Sequence, residues 1–195
     1  GLIIRTAVTH SDHFFGKIYR NVFEKLTQRL SALTAAWQAN GFVHGVLNTD
    51  NMHLSGITID LNVYGFISAW DKKFTPNQID DEGRYAFGRQ VDIVKWNLEK
   101  LIEAIVGGEN NNHGKRDSLY DEMVEKILYN ILDENFIQKF KQCFIERMNH
   151  RMGLYSYGKD DDLIISNKHS NHKVSVFDDM FHGVENNANT NLIKS

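Results

Sequence analysis

The sequence predicts an α+β protein, mainly helical, with one short β-hairpin between its first and second helices. Three observations point there. Long stretches repeat apolar residues every three or four positions, as amphipathic helices do. One segment, "HGVLNTDNMHLSGITID" at residues 44–60, instead places alternating apolar side chains around a Ser-Gly turn. No internal repeat divides the 195 residues, which are enough for one domain or a large part of one.

In chain order, the first helix is expected over residues 16–40, where Ile18, Val22, Leu26, Leu30, Leu33 and Trp37 share a face and Gly41 is placed to end it. The hairpin follows. Residues 68–90 are polar and irregular, hold the only proline, Pro76, and are long for a loop, hence functional or disordered. A second helix is expected from residue 91, with Val94, Leu98, Leu101 and Ile105 on one face. Residues 107–117, "GGENNNHGKRD", read as a connector. A third helical stretch runs through Met123, Ile127, Ile131, Phe136, Phe140, Phe144 and Met148, with a break expected near Asp133. A shorter element is expected around Val174, Phe177 and Phe181, and the tail over 184–195 lacks any core-forming pattern.

Composition narrows the function classes. Net charge is −3, so no basic field attracts nucleic acid or an anionic membrane. No apolar run approaches the roughly 18 residues of a membrane span, and "GLIIRTAV" at the start lacks the form of a signal peptide and reads as a chain already inside a fold. Cys143 is the single cysteine, so no internal disulfide can form; it reads as a small core residue.

The hairpin carries the chemistry. A two-residue turn at Ser55-Gly56 pairs Leu54 with Ile57, His53 with Thr58, Met52 with Ile59 and Asn51 with Asp60. Met52, Leu54, Ile57 and Ile59 then share an apolar face expected to pack on the helices. Asn51 and Asp60 stand opposite one another at the mouth, with Cβ atoms about 4.5–5.5 Å apart. Two such oxygen ligands suit Mg²⁺, which takes one or two protein groups and completes its shell with phosphate and water. Asp50 lies one residue earlier, placed to meet a substrate. The alternative reading is that Asn51 and Asp60 only cap turns.

The same residues resemble the catalytic loop of protein kinases, H-R-D-x-x-x-x-N followed by a hairpin to D-F-G. His44 and Asn51 keep the seven-residue separation, and Asp60 stands where D-F-G would begin, but Val46 occupies the position of the catalytic Asp. The wider wording, Trp37-Gln38, Gly41-Phe42, "HGVLNTDNM", "GITID", "GRYAFGRQ" and "WNLEKL", resembles the selenoprotein O family over residues 36–105. The resemblance implies a pseudokinase fold: residues 1–183 would form a kinase-like C-terminal lobe, without the N-terminal lobe. It implies a protein adenylyltransferase that moves AMP from ATP to Ser, Thr or Tyr hydroxyls of protein substrates. Asp50 would be the base, Asn51 and Asp60 would hold Mg²⁺ (or Mn²⁺) and through it the ATP phosphates, and His44 would support the loop from behind. Asn62, Val63 and Val91 depart from the family's Gly, Pro and Pro. Alternatives are a kinase-like phosphotransferase and an inactive scaffold. The resemblance implies a mitochondrial setting for a eukaryotic source and a cytoplasmic one otherwise.

Two other motifs carry less. "GLYSYGKD" at residues 153–160 nearly matches a phosphate loop, but Asp160 replaces the metal-binding hydroxyl and the segment follows a helix. His169 and His172 lack partners at a metal-ligand spacing.

Overall fold

The computed structural model describes residues 2–106 and 118–154. The connector, the element around Val174, Phe177 and Phe181, His169, His172 and the tail from residue 184 lie outside the described residues. The chain forms three helices, α1 (Leu2–Asn40), α2 (Gln90–Val106) and α3 (Ser118–Arg151), and a small antiparallel sheet of β1 (Phe42–Val43) and β2 (Gly65–Phe66). The expected α+β class, mainly helical, is therefore observed.

Helix α1 begins well before the expected residue 16 and ends as expected, with the Gly41 N–H on the Gln38 carbonyl at 3.3 Å. Its second half is buried almost all round, through Phe23, Leu26, Leu30, Ala35 and Trp37. Buried Ser31 and Thr34 are accommodated there because their Oγ and Oγ1 donate back to the carbonyls of Thr27 and Leu30, at 2.6 and 2.7 Å. Ile18 and Val22, expected on the buried face, are exposed.

Helix α3 runs unbroken past Asp133, against expectation. The buried stripe is Val124, Leu128, Ile131, Leu132, Phe136, Phe140 and Phe144, in which every residue has another three or four positions away. The expected stripe began one residue too early: Met123 is 50% exposed and Val124 5%. That offset opened a gap of five before Phe136 and so suggested a break. Asp133 points outward and pairs with Lys95 of α2 at 3.0 Å. The Arg151 guanidinium donates to the Ala39 carbonyl and to Asn40 Oδ1, both at 2.9 Å, satisfying acceptors at the end of α1. Cys143 is only half-buried, not a core residue. No described helix is long and apolar enough to cross a membrane.

The sheet lies immediately before and after the hairpin, and sequence reasoning did not foresee it. Phe42 pairs with Phe66 and Val43 with Gly65. Phe42 packs on Trp37 of α1, with ring centroids 5.7 Å apart, and stacks on Tyr64 at 5.8 Å. These contacts pin both ends of the segment that carries Asp50, Asn51 and Asp60.

Candidate active site

The back of the site is a set of buried side chains that spend their hydrogen bonds on loop backbone. His44 is fully buried. Its Nδ1 accepts the Val46 N–H at 3.3 Å, so Nε2 carries the proton and donates to Thr58 Oγ1 at 2.7 Å. Thr58 Oγ1 in turn donates to the Asn51 carbonyl at 2.9 Å. Burial holds the His44 imidazole below its ordinary pKa, while the Ile59 carbonyl and the Asp60 charge pull the other way. A neutral ring with a fixed tautomer therefore ties β1 to the hairpin base.

Three buried amides complete that scaffold. Gln90 accepts the His44 N–H at 2.9 Å and donates to the Phe42 carbonyl at 2.9 Å. Asn97 donates to the Leu47 carbonyl at 3.0 Å, and Gln38 to the Phe87 carbonyl at 2.7 Å. An isolated loop carbonyl without such a partner would cost about 1–3 kcal/mol of desolvation. The signal for these residues was present in the sequence: each amide interrupts an otherwise apolar helical face, within "WQ", "GRQ" or "WNL".

The hairpin register differs from the expected one. Met52 bridges Thr58 rather than Ile59, the His53 N–H donates to the Ile57 carbonyl at 2.9 Å, and the Ile59 N–H to the Asn51 carbonyl at 3.1 Å. Three residues, Leu54, Ser55 and Gly56, form the loop, closed by the Gly56 N–H on the His53 carbonyl at 2.9 Å. Gly56 sits at φ +80°, the left-handed residue that closes a three-residue hairpin loop. A Cβ there would come within 2.5 Å of Arg29 Cβ on α1, and Arg29 Nη1 donates to the Ser55 carbonyl at 2.9 Å.

The one-residue slip dissolves the two clean faces. Leu54, Ile57 and Ile59 are exposed rather than packed on the helices. A cavity of about 240 Å³, lined in part by Leu26, Met52, Leu54, Asn97 and Leu98, lies between hairpin and helices. Asn51 and Asp60 are not a directly opposed pair, because Asn51 meets Ile59.

Asp60 departs from the strand instead. It is the one non-glycine residue with positive φ, +58°, among the described residues, in a region that Asp tolerates better than most. Its exposed side chain accepts a hydrogen bond from Asn62 Nδ2. Asn62 itself is not left-handed. Asn51 is buried, with its Nδ2 on the Val46 carbonyl at 3.0 Å, which leaves Oδ1 as the end available to a cation. Asp50 lies exposed in a 3-10 turn, Thr49–Asn51. Among the described residues no three His, Cys, Asp or Glu side chains gather into a metal-binding group. The donor chemistry of Asn51 and Asp60, one carboxamide oxygen and one carboxylate, still suits a hard cation that keeps most of its shell for water and phosphate.

Gly45 sets the path of the loop. It sits at φ +88°, and a Cβ would stand 2.6 Å from the Val63 carbonyl oxygen. Beyond the hairpin, residues 68–90 are irregular but organised. The Asp80 carboxylate accepts the N–H groups of Arg84 and Tyr85 at 2.7 and 2.8 Å, and Asn77 Nδ2 donates to the Gly45 carbonyl at 3.1 Å. The Tyr85 hydroxyl reaches Asn48 Oδ1, two residues before Asp50.

Residues 6–192 match the family model described as Protein adenylyltransferase SelO. This chain belongs to the SelO family. It is similar to the mouse "Protein adenylyltransferase SelO, mitochondrial", 37% identical over 74% of this chain and 20% of the mouse protein. The human protein of the same description is 34% identical over 80% of this chain and 22% of its own length. The "Protein nucleotidyltransferase YdiU" of Azotobacter vinelandii is 37% identical over 73% of this chain and 26% of that protein. The SelO-family chain thus spans about a fifth to a quarter of the curated relatives it matches. The words "HGVLNTDNM", "GRYAFGRQ" and "WNLEKL", which carry the family resemblance, hold every residue of the buried scaffold behind the hairpin except Gln38 and Thr58.

Proposed function

We propose that this chain carries the transfer site of an ATP-dependent protein adenylyltransferase, built on a kinase-like C-terminal lobe. The observation that carries the reading is the turn Thr49–Asn51: it exposes the Asp50 carboxylate beside an Asn51 whose nitrogen is already committed to Val46. Asp50 accepts the proton of a Ser, Thr or Tyr hydroxyl on a protein substrate as that oxygen bonds the α-phosphorus. The α–β phosphoanhydride bond breaks and pyrophosphate leaves with the electron pair. Asn51 Oδ1 and the Asp60 carboxylate would hold Mg²⁺ or Mn²⁺, which when bound supplies neutralisation of phosphate charge. His44 holds Asn51 through Thr58 and takes no proton in the reaction. The mammalian relatives' names favour a mitochondrial setting if the source is eukaryotic.

The same donors would also serve phosphoryl transfer, so the label decides. With the complete protein and a hydroxyl-bearing protein substrate, ³²P from α-labelled ATP is expected on the substrate and none from γ-labelled ATP. Label arriving from the γ position would contradict the reading in favour of a phosphotransferase. Calorimetry silent to Mg-ATP would favour an inactive scaffold.

A further inference from the structure

Asn48 is the N-cap residue of the turn Thr49–Asn51. An asparagine in that position ordinarily turns its carboxamide oxygen onto an N–H two or three residues on. Asn48 makes no such bond. Its Oδ1 accepts the Tyr85 hydroxyl instead. Tyr85 is itself held from two sides: its N–H and that of Arg84 lie on the Asp80 carboxylate, and the Arg84 guanidinium sits 4.8 Å over the Trp96 ring of α2.

A carboxamide has two ends. With Oδ1 committed, exposed Asn48 offers Nδ2, a donor with no acceptor character. Two residues on, the Asp50 carboxylate is an acceptor. The reactants of an adenylyl transfer need that combination: a hydroxyl must donate its proton, and a phosphoryl oxygen must receive hydrogen bonds as its charge grows.

We infer that Asn48 is a substrate-contacting residue whose Nδ2 donates to a phosphate oxygen of the nucleotide bound beside Asp50, and that Tyr85 sets which end of the carboxamide faces outward. The inference deepens the adenylyl-transfer reading above and rests on it.

The test uses the complete protein, with Mg-ATP and adenosine as probes. Asn48→Asp keeps an oxygen for the Tyr85 hydroxyl and replaces the outward donor by an acceptor. Mg-ATP affinity, measured by calorimetry, is expected to fall about tenfold or more, with the unfolding midpoint and adenosine affinity unchanged. Unchanged Mg-ATP affinity, or equal losses for both probes, would overturn the inference. Should that variant fail to fold, Tyr85→Phe decides: it keeps the ring and frees the carboxamide to turn, so a loss of about threefold for Mg-ATP alone is expected, and no loss overturns the inference. Asp50→Asn separates the two readings. Transfer that survives it contradicts the adenylyl-transfer reading, whereas the binding of Mg-ATP to the Asn48 variant judges Asn48 by itself.

Discussion

Behind the hairpin, His44, Gln90 and Asn97 are buried and direct hydrogen bonds at loop backbone, His44 also at the Thr58 hydroxyl. In front of it, Asn48, Asp50 and Asp60 are exposed, beside the apolar side chains of Ile57, Ile59, Leu61, Tyr64 and Phe66, which are exposed too. The two sides teach different things about the chain. At the back each loop carbonyl named above has a partner, although Gln38 Oε1 and Asn97 Oδ1 are buried without one, so its residues act on stability and, through it, on position. The front is open, and its polar residues hold few bonds that folding requires. Changes at the front should therefore move chemistry and leave stability alone; changes at the back should do the reverse first.

The largest effect is expected at the front. Asp60→Asn keeps a residue that tolerates positive φ but removes the charge. In the complete protein it should lower Mg-dependent transfer on the order of 10²–10³-fold, with stability within about 0.5 kcal/mol of wild type. Equal losses of activity and stability would erase the contrast between the two sides.

At the back, Gly45→Ala should cost about 2–4 kcal/mol in denaturant unfolding. It forces a side chain into φ +88° and against the Val63 carbonyl oxygen. Gln90→Leu should cost somewhat less, about 2–3 kcal/mol, because it leaves the His44 N–H and the Phe42 carbonyl buried without their partner. If either variant lost transfer with unchanged stability, the back would be acting directly in the chemistry.

The smallest effect is pH dependence. His44 in the folded chain lies below its unfolded value of about 6.5. Below that value the unfolded chain binds the extra proton and the folded chain resists it, so ν_U exceeds ν_N. His44's contribution is then full above the unfolded pKa and is lost as pH falls toward the folded one. Thermal midpoints taken at about pH 7.5 and about pH 5.5 should differ less in His44→Asn than in wild type. An equal or larger difference would mean that other groups set the acid sensitivity.

The same division explains what was legible in the sequence. Helices α1 and α2 could be read because burial repeats along them with helical period. The stripe of α3 was read one residue off, since Met123 and Val124 are equally apolar and only packing chooses between them. The sheet was missed because two-residue strands leave no periodicity to detect. The hairpin register was misread because Ser55-Gly56 suits a two-residue turn, whereas Gly56 is the third residue of a longer loop, held by Arg29 of a helix distant in sequence. Asp50, Asn51 and Asp60 stand out as candidates all the same, because short polar residues around apolar alternation are conspicuous whatever the register. What places Asp60 is its positive φ, a backbone property that no side-chain pattern announces.

On the proposed function, the turn Thr49–Asn51 presents Asp50 to a substrate hydroxyl while the scaffold behind it holds the rest. The most direct measurement is AMP transfer by Asp50→Asn in the complete protein, alongside Mg-ATP affinity and the unfolding midpoint. Transfer should fall by about 10²–10⁴-fold with both other quantities unchanged. Transfer at the wild-type rate would contradict the account.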